Sequence, residues 1–272
     1  MMNRSHVTRT FYLLLFLLLF SPVCQAQTNY MQQDFTGGGP FVSPTPDVGQ
    51  FSHLIATKPQ SFWRFGPGYM DLIRVIQDSA TGGIVRAVRA VPFSPNPETL
   101  YIQLTFSVEE ITVAVANAVF FYSGENFSVT SSSIPDNSNL FSRFSVTFFA
   151  NTFVVRDIQT NRNSAAFPLH TTVTATWILN NSKDGQIYRK PETAANPDYK
   201  VMPGKYDLWV NGTLLVDDAA AYPGGDKNHF SPTKLSNFEI RFRNGVGRVR
   251  FGSLRIRDIT EILSIKQTFH LK

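Results

Sequence analysis

From Thr99 to Val108 the chain alternates strictly. Leu100, Ile102, Leu104, Phe106 and Val108 are apolar, and Tyr101, Gln103, Thr105 and Ser107 stand between them. A period of two places one set on each face of a strand, which predicts a sheet with one face in a core. The same rhythm runs through "TTVTATWIL", where Val173, Ala175, Trp177 and Leu179 share a face and threonines line the other. "AVANAVFFYS", "SRFSVTFFA" and "TFVVRDI" read as further strands. In "KYDLWVNGTLLVDD" two alternating runs flank Asn211-Gly212, the pair favoured for a two-residue type I′ turn. That turn sets Val210 opposite Thr213 and Leu208 opposite Leu215. No helical period is sustained. About a dozen strands with frequent turn signals predict one large antiparallel sandwich of two sheets.

The last patterned stretch, "FEIRFRNGVGRVRFGSLRIRDI", carries Arg241, Arg243, Arg248, Arg250, Arg255 and Arg257 between apolar positions. Closing it as a hairpin at Gly245-Val246 pairs Arg243 with Arg248 and Arg241 with Arg250. Like charges opposite one another are unfavourable, so the pairs demand nearby carboxylates, solvent or an acidic partner. The apolar positions switch parity between Phe251 and Leu254, which places a bulge or bend at Gly252-Ser253.

Residues 27–70 are rich in Gly and Pro, but Phe35, Phe41, Phe51, Phe62, Trp63 and Phe65 are too many aromatics for a disordered linker. They read as short strands and ordered loops, with Trp63 and Trp177 in the core. The first 26 residues read as a secretory signal peptide: Arg4 and Arg9, the apolar run "FYLLLFLLLF", then Ala26 before the expected cut. Val23 in front of Cys24 argues against lipidation. The remaining chain, 27–272, reads as a single domain without a transmembrane segment. It is expected to be exported, to the periplasm, the cell surface or the medium. Cys24 is the only cysteine, so the mature chain has no disulfide and no thiolate metal site. A cystine-free exported chain fits a bacterium best. The leader takes two of the 25 basic residues and none of the 20 acidic ones, leaving 23 against 20, a net +3. That mild charge, with no binding motif, argues against nucleic acid as a partner.

"ATWILNNSKDGQIY", "GKYDLWVNGTLLVDD" and "LSNFEIRFRNGVGRVRFGSLRIRDI" together resemble the concanavalin A-like (laminin-G-like) jelly-roll domains of secreted bacterial surface proteins. The resemblance covers residues 170–260. It implies a two-sheet sandwich with a concave face, and often a role in glycan binding. Gly252-Ser253 stands where relatives have Asp-Asn, which puts any calcium held by that Asp in doubt.

Glycan-cleaving relatives carry E-x-D-x-x-E on one strand, so that acid and nucleophile share a face. None of the seven Glu residues here has Asp two positions on. Tyr206 and His170 could serve a lyase only by analogy of fold. His53, His170, His229 and His270 are isolated, and no nucleophile, zinc or phosphate motif occurs. Asp217, Asp218 and Asp226 could contribute oxygens to calcium, but a solvated loop is the simpler reading and no cofactor is expected. For binding, the candidates are Arg241, Arg243 and Arg250, whose planar forks suit carboxylate or sulfate, and Trp209 as a stacking platform for a sugar ring. The arginines otherwise read as a solvated face, and Trp209 as covered. The expected function is a non-catalytic glycan-binding or surface-interaction module, with an acidic polysaccharide or a surface protein as partner. A structural envelope protein is the alternative, and a polysaccharide lyase or hydrolase the more distant one.

Overall fold

The structure, a computed structural model, describes residues 27–78, 82–191, 198–222 and 231–259. The segment expected to be a signal peptide, residues 1–26, lies outside the described residues, as do Asp226, His229 and His270. From Thr28 to Ile259 the described residues belong to one compact unit. Its strands, in chain order, are β1 (Asn29–Gln33), β2 (His53–Ala56), β3 (Ser61–Gly66), β4 (Tyr69–Arg74), β5 (Val85–Arg89), β6 (Thr99–Val113), β7 (Val119–Gly124), β8 (Leu140–Phe148), β9 (Thr152–Asp157), β10 (Phe167–Pro168), β11 (Val173–Asn180), β12 (Gln186–Arg189), β13 (Asp198–Val201), β14 (Lys205–Val210), β15 (Thr213–Ala220), β16 (Asn237–Phe242) and β17 (Val246–Arg257).

Two antiparallel sheets make the sandwich. The eight-stranded sheet runs β15-β14-β11-β6-β17-β4-β3, with β1 also paired to β17. The seven-stranded sheet runs β10-β9-β8-β7-β16-β5-β2, and β12 with β13 forms a separate hairpin. The alternation read from the sequence faces inward as expected: Leu100, Ile102, Leu104, Phe106 and Val108, and Val173, Ala175, Trp177 and Leu179, are all buried in one core. Phenylalanines join the layers. Phe106 of β6 lies 5.7 Å from Phe121 of β7, Phe121 stacks on Phe144 at 4.4 Å, and Phe144 meets Trp177 of β11 edge-on at 5.0 Å. Such pairs add about 0.5–1.5 kcal/mol each beyond the area they bury, which accounts for the use of phenylalanine in a chain without cystines.

The Asn211-Gly212 turn forms with φ of +47° and +71°, both left-handed as a type I′ turn requires. Val210 pairs with Thr213. Beyond that the register differs from expectation, because Leu208 pairs with Val216 across a bulge rather than with Leu215. The parity switch in β17 is resolved as expected. Phe251 pairs with Phe106 and Ser253 with Thr105, so Gly252 is the extra residue.

One expectation fails outright. β16 and β17 are not a hairpin. β16 lies in the seven-stranded sheet and β17 in the eight-stranded one, with Arg243–Gly245 crossing between them. Two alternating runs joined by a glycine-rich turn can pair edge to edge, or stack face to face across a core. The pattern of apolar positions is identical in the two cases. The crossing is tight: at Gly245, φ +75°, a Cβ would stand 2.8 Å from Val115 Cγ1 and 3.0 Å from the Val113 carbonyl oxygen. The expected pairs Arg243–Arg248 and Arg241–Arg250 therefore do not exist.

A different arginine pair does. Arg241 lies opposite Arg86 of β5, and both side chains are buried. Glu239, two positions along β16, supplies the missing charge. Arg241 Nε donates to Glu239 Oε1, and Arg86 Nη1 donates to Glu239 Oε2 at 3.4 Å. The loop that follows β7 covers the group with main-chain oxygens. Arg86 donates to the Ser128 and Ser131 carbonyls at 2.9 and 2.8 Å, and Arg241 to those of Ser132 and Ser133 at 3.2 and 2.6 Å.

Removing one charge from a buried ion pair strands its partner. Glu239→Gln is expected to lower stability by about 3–5 kcal/mol in urea unfolding, because two buried cations lose their counter-charge. A loss under about 1 kcal/mol would mean that the loop carbonyls alone satisfy both guanidinium groups.

Candidate functional site

The crossover separates the residues that the sequence groups together. Arg241 belongs to the outer face of the seven-stranded sheet, Arg250 and Trp209 to that of the eight-stranded sheet, and Arg243 to the segment that crosses between them. Arg241 is fully enclosed, so no part of it faces solvent.

Trp209 is covered as well, at 1% exposure. It does lie on the opposite face from Leu208 and Val210, but the β12–β13 hairpin packs over that face. Tyr199 meets the indole edge-on at 4.7 Å, and Lys190 stands 5.6 Å above it. Tyr188 accepts from Trp209 Nε1 at 2.9 Å and donates to Asp207 Oδ2 at 2.5 Å. The second carboxylate oxygen of Asp207 accepts the Asp218 N–H at 2.7 Å. Asp218 itself accepts from Met202 N at 2.8 Å, so part of the suggested calcium loop is already engaged in backbone contacts.

On the same outer face, toward the other edge of the sheet, a charged cluster forms around Asp71. β4 reads "YMDLIR", with Met70 and Leu72 in the core, so Asp71 between them points outward. It is nevertheless completely covered, because arginines lie over it. Arg250, directly opposite on β17, clamps it side-on, with Nε to Oδ1 at 2.9 Å and Nη2 to Oδ2 at 3.2 Å. Arg64, opposite on β3, donates to Oδ2 at 2.6 Å. Arg248 Nη1 stands 3.9 Å from Oδ2. The Arg250 guanidinium lies 3.7 Å over the Tyr69 ring. Its Nη1 is 3.8 Å from Glu109, which also accepts from Ser107 at 2.5 Å and faces His170 at 3.4 Å.

The electrostatics follow from this packing. The hydrogen bond to Asp71 holds the Arg250 guanidinium more firmly protonated than usual, against some desolvation. Arg64 shifts the same way for the same cause. Burial pushes the Glu109 carboxyl up, but the Ser107 hydroxyl, Arg250 and His170 outweigh it and the net shift is downward. Three guanidinium groups thus face two carboxylates. Their side chains keep 50% (Arg64), 28% (Arg248) and 30% (Arg250) of their exposure. Arg248 is the least engaged: its contact with Asp71 is beyond hydrogen-bond range, and its buried Nε has no partner.

Of the residues singled out from the sequence, only Arg250 belongs to this cluster. Arg64, Tyr69 and Asp71 were missed, although a signal existed. In "RFGPGYMD" a two-residue turn at Pro67-Gly68 pairs Phe65 with Met70 and Arg64 with Asp71, as observed. Gly68 has φ +77°, the value that the third position of a type II turn requires after proline. Trp63 was read as core and is not. It sits on the edge strand β3 at 37% exposure, beside Phe62 at 40%. An edge strand has a neighbour on one side only, and alternation does not reveal which strand is last. His53 contacts Ser52 and His170 contacts Glu109, and among the described residues no cluster of His, Cys, Asp and Glu could hold a metal ion.

No protein-family model matches the sequence, and no curated protein matches it. Among solved structures the chain is similar to a carbohydrate esterase from the Shiga toxin-encoding bacteriophage phi24B, with a TM-score of 0.48 and 11% identity over 86% of this chain and 100% of that one. It is also similar to the potassium-bound carbohydrate recognition domain of Emp46p, with a TM-score of 0.44 and 9% identity over 77% and 89% of the two chains. A third similar structure is the exoplasmic/lumenal domain of VIP36 in its Ca2+/Man3GlcNAc-bound form, with a TM-score of 0.45 and 7% identity over 88% and 92%. The three likenesses are remote, each with a TM-score under 0.5. They concern the arrangement of strands alone. Among the described residues no helix is long and apolar enough to cross a membrane.

The Asp207 network carries a pH dependence of its own. Burial, against the hydrogen bonds from Tyr188 and Asp218, pushes the Asp207 carboxyl up to about 6, and the nearby Asp217 and Asp218 add to the shift. A carboxyl raised in the folded state keeps a proton that the unfolded chain releases. Stability from this group is therefore greatest below about pH 4 and is lost as pH rises through about 6, by about 2–3 kcal/mol in total. Asp207→Asn removes that component. The difference in unfolding free energy between pH 4.5 and pH 7.5, from urea titrations, should shrink in the variant by about 2 kcal/mol, while an unchanged difference would show Asp207 ionised throughout.

Proposed function

We propose that the protein is an exported β-sandwich module that binds acidic glycans, without catalysis, through the outer face of its eight-stranded sheet. The observation that carries this reading is the set of three partly exposed arginines held around one enclosed carboxylate. Asp71 fixes the position of the guanidinium forks but neutralises only part of their charge. Their remaining N–H groups are pre-ordered, so an incoming carboxylate or sulfate need not bear the full cost of immobilising long side chains. Arg250 lying on Tyr69 adds to that rigidity. Export rests on the leader read in residues 1–26.

Arg241 and Trp209, both enclosed, have no part in this site, and Arg243 lies in the segment that crosses between the sheets. Arg250 remains, joined by Arg64 and Arg248. Because Arg248 makes no short bond to Asp71, it can be removed at little cost to the fold. On a glycan array, binding to uronate-rich or sulfated glycans is expected at about 50 mM salt and to be largely lost at about 500 mM. Arg248→Ala should weaken it by about fivefold to twentyfold at low salt, with an unchanged urea midpoint. Absence of any acidic-glycan binding by the wild type at low salt would overturn the reading.

A further inference from the structure

At the free edge of the same sheet lies an open groove of about 610 Å3 lined by Ala56, Thr57, Lys58, Pro59, Ser61, Phe62 and Trp63. Its volume falls within the range of small-ligand sites. Its walls are fixed. Thr57 N donates to the Ile84 carbonyl at 3.0 Å, and Ile84 N donates back to Thr57 Oγ1 at 2.9 Å. Gly83, at φ +66°, lets the Lys58 stem pack against the main chain, where a Cβ would stand 2.7 Å from Lys58 Cβ. No carboxylate lines the groove, and Lys58 forms no ion pair among the described residues. The groove thus joins an indole at 37% exposure, an ammonium without an ion pair among the described residues and the Thr57 hydroxyl, while Ser61 is buried and donates to the Gly82 carbonyl. Flat aromatic faces take the C–H face of a pyranose, and a lone cation takes an acidic substituent on it.

We propose that this groove is a saccharide subsite that takes one anionic pyranose ring, with Trp63 as its platform and Lys58 at its carboxylate or sulfate. It deepens the acidic-glycan reading given above and rests on it for the class of ligand. It also places the stacking tryptophan on β3 rather than at Trp209.

The chain has three tryptophans, and Trp177 and Trp209 are 0% and 1% exposed. Acrylamide quenching of indole fluorescence therefore reports on Trp63. A glucuronate-containing tetrasaccharide at about 10 mM is expected to shield the quenchable fraction, and the matching neutral glucose oligomer to do so about tenfold more weakly. Lys58→Ala should abolish that preference without unfolding the protein, since the side chain is exposed. Trp63→Phe should abolish the quenchable signal, which confirms the reporter. The proposal is overturned if neither oligosaccharide shields Trp63, or if the preference survives Lys58→Ala. Shielding that rises with protein concentration in the absence of sugar would overturn it as well, since a second copy would then cover the edge. The Arg248→Ala array result is independent of this signal, so failure of the groove and failure of the arginine face can be told apart. Shielding by the charged sugar with no effect of Arg248→Ala on the array would leave the groove standing and remove the face.

Discussion

The fold depends on buried guanidinium groups that fasten irregular backbone to the sheets. Four arginines, Arg74, Arg86, Arg89 and Arg241, are at most 7% exposed. Between them they donate to the carbonyls of residues in loops or turns. Arg74 reaches Gly83 at 3.1 Å and Gly245 at 2.7 Å, and Arg89 reaches Pro46, Asp47 and Gln50. A loop lying over a sheet brings main-chain oxygens that cannot join a ladder, and each one left unpaired costs stability. A planar group with five donors can satisfy several of them at once. Burial weakens the hold on the proton: desolvation lowers Arg86 and Arg89, and brings Arg74 down to about 10. That is still far enough above neutrality to keep Arg74 charged. In a chain with a single cysteine, Cys24, these clamps tie loop to core as cystines would elsewhere.

This constraint explains why arginines in one short segment have different fates. Arg241 and Arg250 are both on strands, both between apolar neighbours, and both paired with a carboxylate that is itself enclosed. What differs is the cover. Over Glu239 the 128–133 loop supplies four carbonyl contacts, which close Arg86 and Arg241 off from water. Over Asp71 the cover is made by the arginine side chains themselves, so their outer edges stay in contact with water. The first arrangement is a staple. The second leaves unsatisfied charge on a rigid support, which is what recognition of an anion requires.

Much of the architecture was legible in the sequence because a period of two is a strong signal where one face of a strand is buried. The strands at 99–108 and 173–179, the turn at Asn211-Gly212 and the bulge at Gly252 followed from residue types alone. The topology did not. Phe238, Ile240 and Phe242 on one side of Asn244-Gly245, and Val249 and Phe251 on the other, meet across the core instead of along an edge, and alternation is blind to that choice. The grouping of the arginines descends from it: placing β16 and β17 together makes one stripe of Arg241 and Arg250, which belong to opposite faces of the sandwich. The Arg64–Asp71 pair needs only the Pro67-Gly68 turn; reading residues 27–70 as short strands and ordered loops sets no register between them.

Trp63 and Trp209 show the limit most clearly. Both lie in strands, Trp63 between Phe62 and Arg64 and Trp209 between Leu208 and Val210. The difference is what lies next to each strand. β14 carries Trp209 between β11 and β15, under a hairpin that contributes Tyr188 and Tyr199. β3 ends its sheet, so its aromatic residues have packing partners on one side only. A tryptophan at an edge without cover is a liability for association with other chains. Arg64 on the same strand offsets that hazard by keeping charge at the edge, and its guanidinium is held in place by Asp71.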